Sequence, residues 1–342
     1  MGDTMSKEID LSKYNLRTDL IIDEVNSIKK DYIEIKECDK DGIIINKTKV
    51  KEDNEVKNKG TYITISFEDV TDRNNFKKVQ KIFEEELRYI IKDLNLQKDY
   101  KTLVVGLGNR NSTPDSLGVK VSESIIVTRH LFELNEVSKE YNNVASFTPN
   151  VMGNTGIEAA EVIKGIINEI DIDLVIVVDA LASSKIERVN KTIQLTNSGI
   201  NPGSGVGNYR KEISENTLGT KVIAIGIPTV VDAATIVTDT INLLIKKVEY
   251  MKNNNPKEKL KAKDKVNYLK ETRQSLNEIE KNNLLGLIGT LSDEDLKSLI
   301  IEVLSPIDYN MMVTPKEIDF IIDKLSLLIS KSINNVLHNI KI

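Results

Sequence analysis

Two aspartates are the first candidates for acid–base chemistry in this sequence. Asp115 ends the stretch Val104-Val-Gly-Leu-Gly-Asn-Arg-Asn-Ser-Thr-Pro-Asp115, and Asp179 closes the apolar run Leu174-Val-Ile-Val-Val-Asp179. Two carboxyl groups that lie close together resist double ionisation, so such a pair can supply one acid and one base. Taken singly, each aspartate is more often a helix-capping residue that accepts hydrogen bonds from free backbone N–H groups.

Most other groups that do acid–base chemistry near neutral pH are scarce. The chain has two histidines, His130 and His338, and one cysteine, Cys38. Neither histidine has a sequence context that indicates a Ser-His-Asp triad. The sequence contains no HExxH motif, CxxC motif or histidine cluster. We therefore predict catalysis by carboxylates, lysine or serine, with no metal and no cofactor.

Charge and composition bound the partners and the compartment. The 47 basic and 52 acidic residues give a net charge of -5, which argues against direct binding of nucleic acid. One cysteine fits a reducing compartment, and no apolar run approaches the roughly 18 residues of a membrane helix. We expect a soluble intracellular protein with no membrane contact.

The first half of the chain predicts three kinds of segment. Residues 1–19 are polar and acidic, as in an arm or propeptide. Residues 42–68 hold two apolar runs around a polar turn, which predicts a long β-hairpin beside the main sheet. Residues 72–94 carry apolar side chains at spacings of three and four, which predicts an amphipathic helix.

The rest of the chain alternates between short apolar strands and helical patterns. Strands are expected at 102–105, 174–178 and 221–227, each followed by a glycine- or aspartate-bearing loop. Such alternation predicts parallel strands with crossover helices, in an α/β three-layer sandwich with a mostly parallel sheet. Residues 252–274 form an exposed polar segment, and helices within 280–342 pack back on the sheet.

Active sites of open parallel sheets gather at the carboxyl ends of the strands. Asp115 and Asp179 are expected at that edge, together with Asp232, which follows Gly226-Ile-Pro-Thr-Val-Val. The two leading carboxylates are 64 residues apart, 179 − 115, and converge only if their strands are neighbours.

Several shorter motifs are weaker signals. Gly106-Leu-Gly108 resembles a dinucleotide fingerprint, but Asn111 replaces its third glycine. Residues 196–210 are rich in glycine, asparagine and serine, as in a surface loop or a loop that approaches substrate closely. Ser204 lies there in Pro-Gly-Ser-Gly, which is not a GxSxG elbow because Pro202 occupies the first glycine position.

Read together, longer blocks resemble the germination protease family of spore-forming Firmicutes. The resemblance covers nearly the whole chain in order. The matching blocks are Arg17-Thr-Asp-Leu20, Val105-Gly-Leu-Gly-Asn109, Thr113-Pro-Asp-Ser-Leu-Gly118, Val151-Met-Gly153, Thr155-Gly156, Asp179-Ala-Leu-Ala-Ser183, Glu187-Arg-Val-Asn190, Asn201-Pro-Gly-Ser-Gly-Val-Gly-Asn208, Gly226-Ile-Pro-Thr-Val-Val-Asp-Ala233 and Val313-Thr-Pro-Lys-Glu317.

The resemblance implies an atypical aspartic endopeptidase, with a fold related to hydrogenase maturation proteases, an N-terminal β-hairpin region and C-terminal helices. It implies a homotetramer that degrades small acid-soluble spore proteins during germination in the spore core, a cytoplasmic compartment. It also implies a zymogen that removes residues 1–19 by cleaving between Asp19 and Leu20, leaving 20–342 as a single α/β peptidase domain. Arg110 departs from the family, whose members often have tryptophan there.

The resemblance assigns the catalytic roles to Asp115 and Asp179. Two other functions stay open: a metal-assisted or phosphate-handling hydrolase at the same strand edge, and a non-enzymatic ligand-binding module. Further residues are predicted to bind substrate or to support the site, namely Asn109, Thr113, Gly153, Ser183, Arg188, Ser204, Asn208, Arg210 and Asp232.

Overall fold

The structure is a computed structural model of the chain. It describes residues 18–25, 28, 30–53, 57–138, 140–206, 210–253, 275–304, 311–338 and 340. Predictions for residues 1–17, for Asn208 and for most of 252–274 fall outside the described residues. The described residues form two compact units, which we call the sheet unit (18–231 with 314–340) and the helical unit (232–304 with 311–313). The single peptidase domain stays a prediction.

The sheet unit contains one sheet with an antiparallel part and a parallel part. The sheet order is β1-β2-β3-β7-β8-β6-β4-β5. The pairs from β1 to β8 along this order are antiparallel, whereas β8, β6, β4 and β5 are parallel. The strands are β1 (Ile33–Lys40), β2 (Ile43–Val50), β3 (Gly60–Ser66), β4 (Thr102–Gly106), β5 (Val144–Phe147), β6 (Leu174–Ser183), β7 (Thr192–Thr196) and β8 (Lys221–Asp232).

Helices cover both faces of this sheet. The helices of the sheet unit are α1 (Ile21–Glu24), α2 (Arg73–Asp93), α3 (Leu117–Glu123), α4 (Arg129–Glu133), α5 (Met152–Thr155), α6 (Ala159–Ile170), α7 (Glu215–Leu218) and, after the helical unit, α11 (Ile318–Leu337). The helical unit contains α8 (Ala233–Asn253), α9 (Glu278–Leu285), α10 (Asp293–Leu304) and the short strand β9 (Met312–Val313).

Strand periodicity explains the two apolar layers, because successive side chains of a strand point to opposite faces. In β6, Ile176 and Val178 pack in one cluster with residues of α2, α3 and α11. Val175 and Val177, which alternate with them, pack in a second cluster with Ile163 of α6 and with α7. The α/β three-layer architecture predicted from the sequence is confirmed.

The helix predicted over 72–94 agrees with α2 and shows how the sequence specifies it. The Asp72 carboxylate accepts the backbone N–H groups of Asn74 and Asn75, so it satisfies two free donors of the first turn. The buried side chains Val79, Phe83, Leu87 and Ile90 follow the predicted spacing. This amphipathic face anchors α2 on the sheet.

Three features differ from the sequence prediction. The predicted hairpin is formed by β2 and β3, but β3 also pairs with β7, so the hairpin continues the main sheet instead of lying beside it. The strand β1 and the short strands β5 and β7 were not predicted. β6 runs to Ser183, whereas the predicted strand ended at residue 178.

Candidate active site

The carboxyl ends of β4 and β6 form the edge where the two aspartates were expected. These strands are parallel neighbours, with Gly106 paired to Val178. After β4 the chain stays on this edge, because the Leu107 N–H donates to the Val178 carbonyl at 2.9 Å. The loop that leads to Asp115 therefore begins next to Val178, the residue directly before Asp179.

Asp115 ends a 3-10 turn that the loop after β4 holds in place. The Asn109 N–H donates to the Asp115 carbonyl at 3.0 Å. Gly108 has φ +108°, and a Cβ there would stand 2.0 Å from the same carbonyl oxygen. A Cβ at Gly118 would stand 2.2 Å from the Val178 carbonyl. Only glycine permits these approaches, which bring the loop and the start of α3 against β6.

Asp179 lies inside β6 with 6% of its surface exposed. Its Oδ1 accepts the N–H of Ala180 at 2.9 Å. Burial raises the pKa of Asp179 well above its ordinary value, and the negative charges of Asp115 and Asp19 raise it further. Burial also raises the pKa of Asp115, to about 6, against an opposing hydrogen bond from the Asn109 backbone. The two carboxyl groups thus share one poorly solvated region within electrostatic reach.

The residue before the predicted cleavage junction is bound in the same region. The Asp19 N–H donates to the Ala182 carbonyl at 3.1 Å, and the Ala182 N–H donates to Asp19 Oδ2 at 2.9 Å. Asp19 Oδ1 accepts the Ser204 hydroxyl at 2.5 Å and the Gly205 N–H at 2.8 Å. A Cβ at Gly205 would come within 2.2 Å of Asp19 Oδ2. These donors form a close-fitting carboxylate pocket, which includes the predicted residue Ser204.

The peptide bond after Asp19 is held as well. The Asp19 carbonyl oxygen accepts the Gln194 Nε2 group at 3.2 Å and the Lys57 Nζ group at 3.3 Å. Leu20 and Ile21, which follow, are fully buried. Gln194 and Lys57 could not be predicted from the sequence, because a glutamine in a short strand and a lysine in a polar turn carry no distinguishing pattern.

Two predicted site residues serve a neighbouring structure, the Asp23 clamp, which we define as Asp23 with its partners Thr18, Ser183, Ser184 and Arg188. The Asp23 carboxylate accepts the Thr18 hydroxyl at 2.5 Å and the Ser184 N–H at 3.0 Å. It also accepts the Ser183 hydroxyl at 3.4 Å and pairs with Arg188. Ser183 and Arg188 therefore fix α1, directly after the junction.

The remaining predicted residues are distributed over the molecule. Asn109 and Thr113 belong to the loop that carries Asp115. Gly153 is exposed in α5, and exposed Arg210 donates to the sulfur of neighbouring Met152. Asp232 accepts the N–H and hydroxyl of Thr235 and pairs with Lys297 at 3.1 Å in the helical unit. Asp232 thus has the geometry of a helix cap on α8.

Within the described residues, no group of three or more histidine, cysteine, aspartate or glutamate side chains has the arrangement to hold a metal ion. None of the helices in the described part of the chain has the length and apolar character that a bilayer span requires.

Comparisons with known proteins define the class of the protein. A family model described as Germination protease matches residues 13–341. Germination protease from Bacillus thuringiensis subsp. konkukian is 42% identical over 355 residues, covering 98% of this chain and 97% of that protein. Germination protease from Priestia megaterium is 41% identical over 358 residues with the same coverage. The chain is thus a protease. It belongs to the germination protease family, as the sequence blocks indicated.

Among solved structures, a hydrogenase maturation protease, HycI, from Thermococcus kodakarensis is 19% identical and covers 38% of this chain and 74% of its own. Its TM-score is 0.25.

Proposed function

We propose that this protein is an endopeptidase that degrades small acid-soluble spore proteins during germination, and that it is made as a self-processing zymogen. Asp115 and Asp179 are its catalytic aspartates, and the bond between Asp19 and Leu20 is its own processing site. The family membership supports the reaction class. The hydrogen bonds that hold Asp19 in the region of Asp179 support the assignment of the processing site and of the aspartate pair.

One observation carries the proposal: residue 19 is held as a substrate residue would be. Its carboxylate has three donors within 2.9 Å, from Ala182, Ser204 and Gly205. Its carbonyl oxygen has two further donors, and its charge acts on Asp179. A surface segment that merely passes the sheet has no need for a pocket that fits its side chain and its carbonyl together.

The aspartates divide the work of acid and base according to their surroundings. Asp179 is more deeply buried and lies near two other carboxylates, so it retains the shared proton. Asp115 is partly exposed and ionises more readily, with a pKa of about 6. Asp115 is therefore the base near neutral pH, and Asp179 is the acid.

The reaction is hydrolysis of one amide bond. Asp115 takes a proton from water as the water oxygen bonds to the Asp19 carbonyl carbon, and the carbonyl electron pair moves onto the oxygen. When the C–N bond breaks, Asp179 supplies a proton to the Leu20 nitrogen. The products are a carboxylate at Asp19 and an amino group at Leu20, and proton exchange between the aspartates and water restores the pair.

The same pocket accounts for substrates other than the chain itself. Once residues 1–19 leave, the donors of Ala182, Ser204 and Gly205 are free to hold an acidic side chain of another protein. Small acid-soluble spore proteins are the proposed substrates, met in the spore core after they leave DNA. The enzyme itself, at net charge -5, is not expected to bind DNA. We also propose a homotetramer, which light scattering of the purified protein checks.

Processing of the purified precursor tests the proposal. Intact mass and N-terminal sequencing are followed over time for the parent, Asp115→Asn and Asp179→Asn. We expect the parent to lose residues 1–19 and begin at Leu20, and both variants to keep their full mass. The amide keeps the size of the side chain but can neither accept nor supply the proton.

The alternatives give different results in the same experiment. A metal-assisted hydrolase would lose activity on treatment with a chelator, whereas the aspartate pair would not. A ligand-binding module would show no cleavage by the parent. Full activity of either asparagine variant would reject the catalytic pair.

A further inference from the structure

We infer that Lys57 and Gln194 are catalytic residues of this protease, because they stabilise the negative charge that develops on the carbonyl oxygen during peptide cleavage. This inference depends on the proposed cleavage between Asp19 and Leu20. It assigns chemistry to a lysine and a glutamine that lie apart from the aspartate pair along the sequence.

The side-chain amide of Gln194 forms hydrogen bonds with backbone groups on both sides of Leu20. Its Oε1 accepts the Ile21 N–H at 2.8 Å, and its Nε2 donates to the Asp19 carbonyl at 3.2 Å. Because the Ile21 N–H requires an acceptor, the amide has one orientation, and its NH₂ group must face the carbonyl. Gln194 is 6% exposed in the central strand β7. The donor is therefore fixed before the reaction begins, as electrostatic stabilisation of a transition state requires.

Lys57 adds a positive charge at the same oxygen. Its Nζ lies 3.3 Å from the Asp19 carbonyl oxygen and 2.7 Å from Glu24 Oε2. The Lys57 side chain is 17% exposed, and that of Glu24 is 10% exposed. Glu24 thus fixes the position of the ammonium group, and the poor solvation strengthens the attraction between that group and a developing oxyanion.

The sheet register places these donors relative to the aspartates. Gln194 pairs with Gly226 in β8, and Gly226 pairs with Asp179 in β6. Paired residues of neighbouring strands share a face of the sheet, so Gln194 and Asp179 lie in one row, about two strand spacings or roughly 10 Å apart. Asp19, Lys57, Gln194, Ser204 and Gly226 also line one cavity of about 170 Å³. The carbonyl donors, the carboxylate pocket and the strand partner of Asp179 therefore open on the same space.

The role in the reaction follows from this geometry. When water adds to the carbonyl carbon, the C=O electron pair moves to the oxygen that Gln194 and Lys57 contact. Both contacts gain strength as that oxygen becomes negative, so they stabilise the transition state more than the bound substrate. When the C–N bond breaks, the carbonyl re-forms and the contacts return to their former strength.

The glutamine is tested by a variant that keeps one of its two contacts. Gln194→Glu retains an oxygen for the Ile21 N–H but loses the donor to the Asp19 carbonyl. We expect its processing rate constant to fall by about 10²–10³-fold, the usual effect of losing one such donor. Thr64→Val is the matched control, because Thr64 is the buried cross-strand partner of Gln194 and its hydroxyl has no hydrogen-bond partner among the described residues. We expect Thr64→Val to process at the parent rate.

The lysine is tested in a background that avoids an unpaired buried carboxylate. Glu24→Gln with Lys57→Met is compared with Glu24→Gln alone, and Lys57→Arg serves as the conservative replacement. We expect the double variant to lose a further 10²-fold or so in rate and Lys57→Arg to retain most activity. With a separate peptide that contains an Asp–Leu bond, these losses should appear in kcat with little change in KM.

The outcomes separate this inference from the proposed function. If the parent does not cleave after Asp19, the proposed function fails and the inference fails with it. If the parent cleaves and Asp115→Asn does not, while Gln194→Glu and the Lys57 variants keep parent kcat, only the oxyanion role is rejected. A change confined to KM would also reject it, because it would show that the two residues bind substrate without stabilising the transition state.

Discussion

The aspartate pair and the Asp23 clamp bury carboxyl groups in opposite ways. Asp23, whose side chain is fully buried, is matched by Arg188, two hydroxyl groups and the backbone N–H of Ser184. Asp179 is also buried, but the hydrogen bond found for its carboxyl group comes from the backbone of its neighbour Ala180, and its other close influences are negative charges. The fold depends on a compensated carboxylate keeping its partners, because removal of one partner leaves a buried charge unpaired. An uncompensated one keeps a proton and is available for chemistry.

The largest effect on stability is expected where the burial is compensated. Arg188→Met leaves the Asp23 carboxylate buried without its positive partner, so the free energy of unfolding should fall by about 3–5 kcal/mol. Urea denaturation measures this change. Adding Asp23→Asn to Arg188→Met removes the unpaired charge and should restore part of the loss. A loss under about 1 kcal/mol would show that the clamp does not depend on its ion pair.

The next effect concerns the carboxylate pocket. Gly205→Ala puts a Cβ within 2.2 Å of Asp19 Oδ2, so Asp19 must move away from its donors. Hydrogen bonds to a charged group contribute about 1.5–3 kcal/mol each, so loss of two should slow processing by about 10²-fold or more. Intact mass over time measures the rate. Gly165→Ala in α6 is the control, because its Cβ meets no atom within 4 Å.

Substitution in the aspartate pair should raise stability, whereas substitution in the Asp23 clamp should lower it. Because burial raises the pKa of Asp115 to about 6, the folded state holds its proton more tightly than the unfolded state. Stability is therefore lost as pH rises from about 4 to about 6, and the cost persists above that range. Asp115→Asn removes this cost, which is at most about 3 kcal/mol for a shift of roughly two pKa units.

Thermal melts of the parent and Asp115→Asn at pH 7 and pH 4 measure this difference. We expect the variant to have the higher Tm at pH 7 and the advantage to shrink at pH 4. A simple helix cap predicts the reverse, a loss of about 1 kcal/mol at pH 7.

The pH dependence of processing sharpens the assignment of base and acid. Below about pH 6 the Asp115 carboxylate becomes protonated, so the rate should fall by about tenfold per pH unit. The rate should also fall on the alkaline side, where Asp179 loses its proton, and that limb lies above the acidic one because Asp179 is more deeply buried. Processing rates from pH 4 to pH 9 measure both limbs. A flat profile between pH 4 and pH 7 would exclude Asp115 as the base.

The smallest effect on processing is expected at Asp232. Its hydrogen bonds to Thr235 and its pairing with Lys297 indicate a helix cap. Asp232→Asn keeps an oxygen for the Thr235 N–H but leaves Lys297 without its charged partner, so it should lower stability by about 1 kcal/mol or more and reduce processing far less than Asp115→Asn. The same melts and mass measurements compare the two variants directly. Equal loss of processing in both would place Asp232 in the chemistry.

Much of the fold could be predicted because its patterns are local. The helical stripe of α2, its Asp72 cap and the apolar strands β4, β6 and β8 follow from spacing along the chain. The strands β5 and β7 were missed because four or five residues of mixed character resemble loop as much as strand. The strand predicted at 174–178 ended too early because Ala180 and Leu181 pair with β8, and the sequence does not display that pairing.

The three aspartates show the same limit at the site. The sequence placed Asp115, Asp179 and Asp232 together at the carboxyl edge of the sheet. Gly226 is the strand partner of Asp179, and Asp232 is the sixth residue after Gly226 in β8. Strand length is decided by pairing with neighbours, so the apolar run alone could not show that Asp232 ends in a different environment.

By itself, the sequence determined the alternation of strands and helices, the shortage of histidine and cysteine, and the family to which the chain belongs. These are properties of composition and local order. Tertiary structure decided which carboxylates lack compensating donors, that Asp19 occupies a pocket made by Ala182, Ser204 and Gly205, and that Lys57 and Gln194 meet at its carbonyl oxygen. Gln194 lies 175 residues from Asp19 along the chain. The pairing of β7 with β8, and of β8 with the strand β6 that binds Asp19, brings the two residues together.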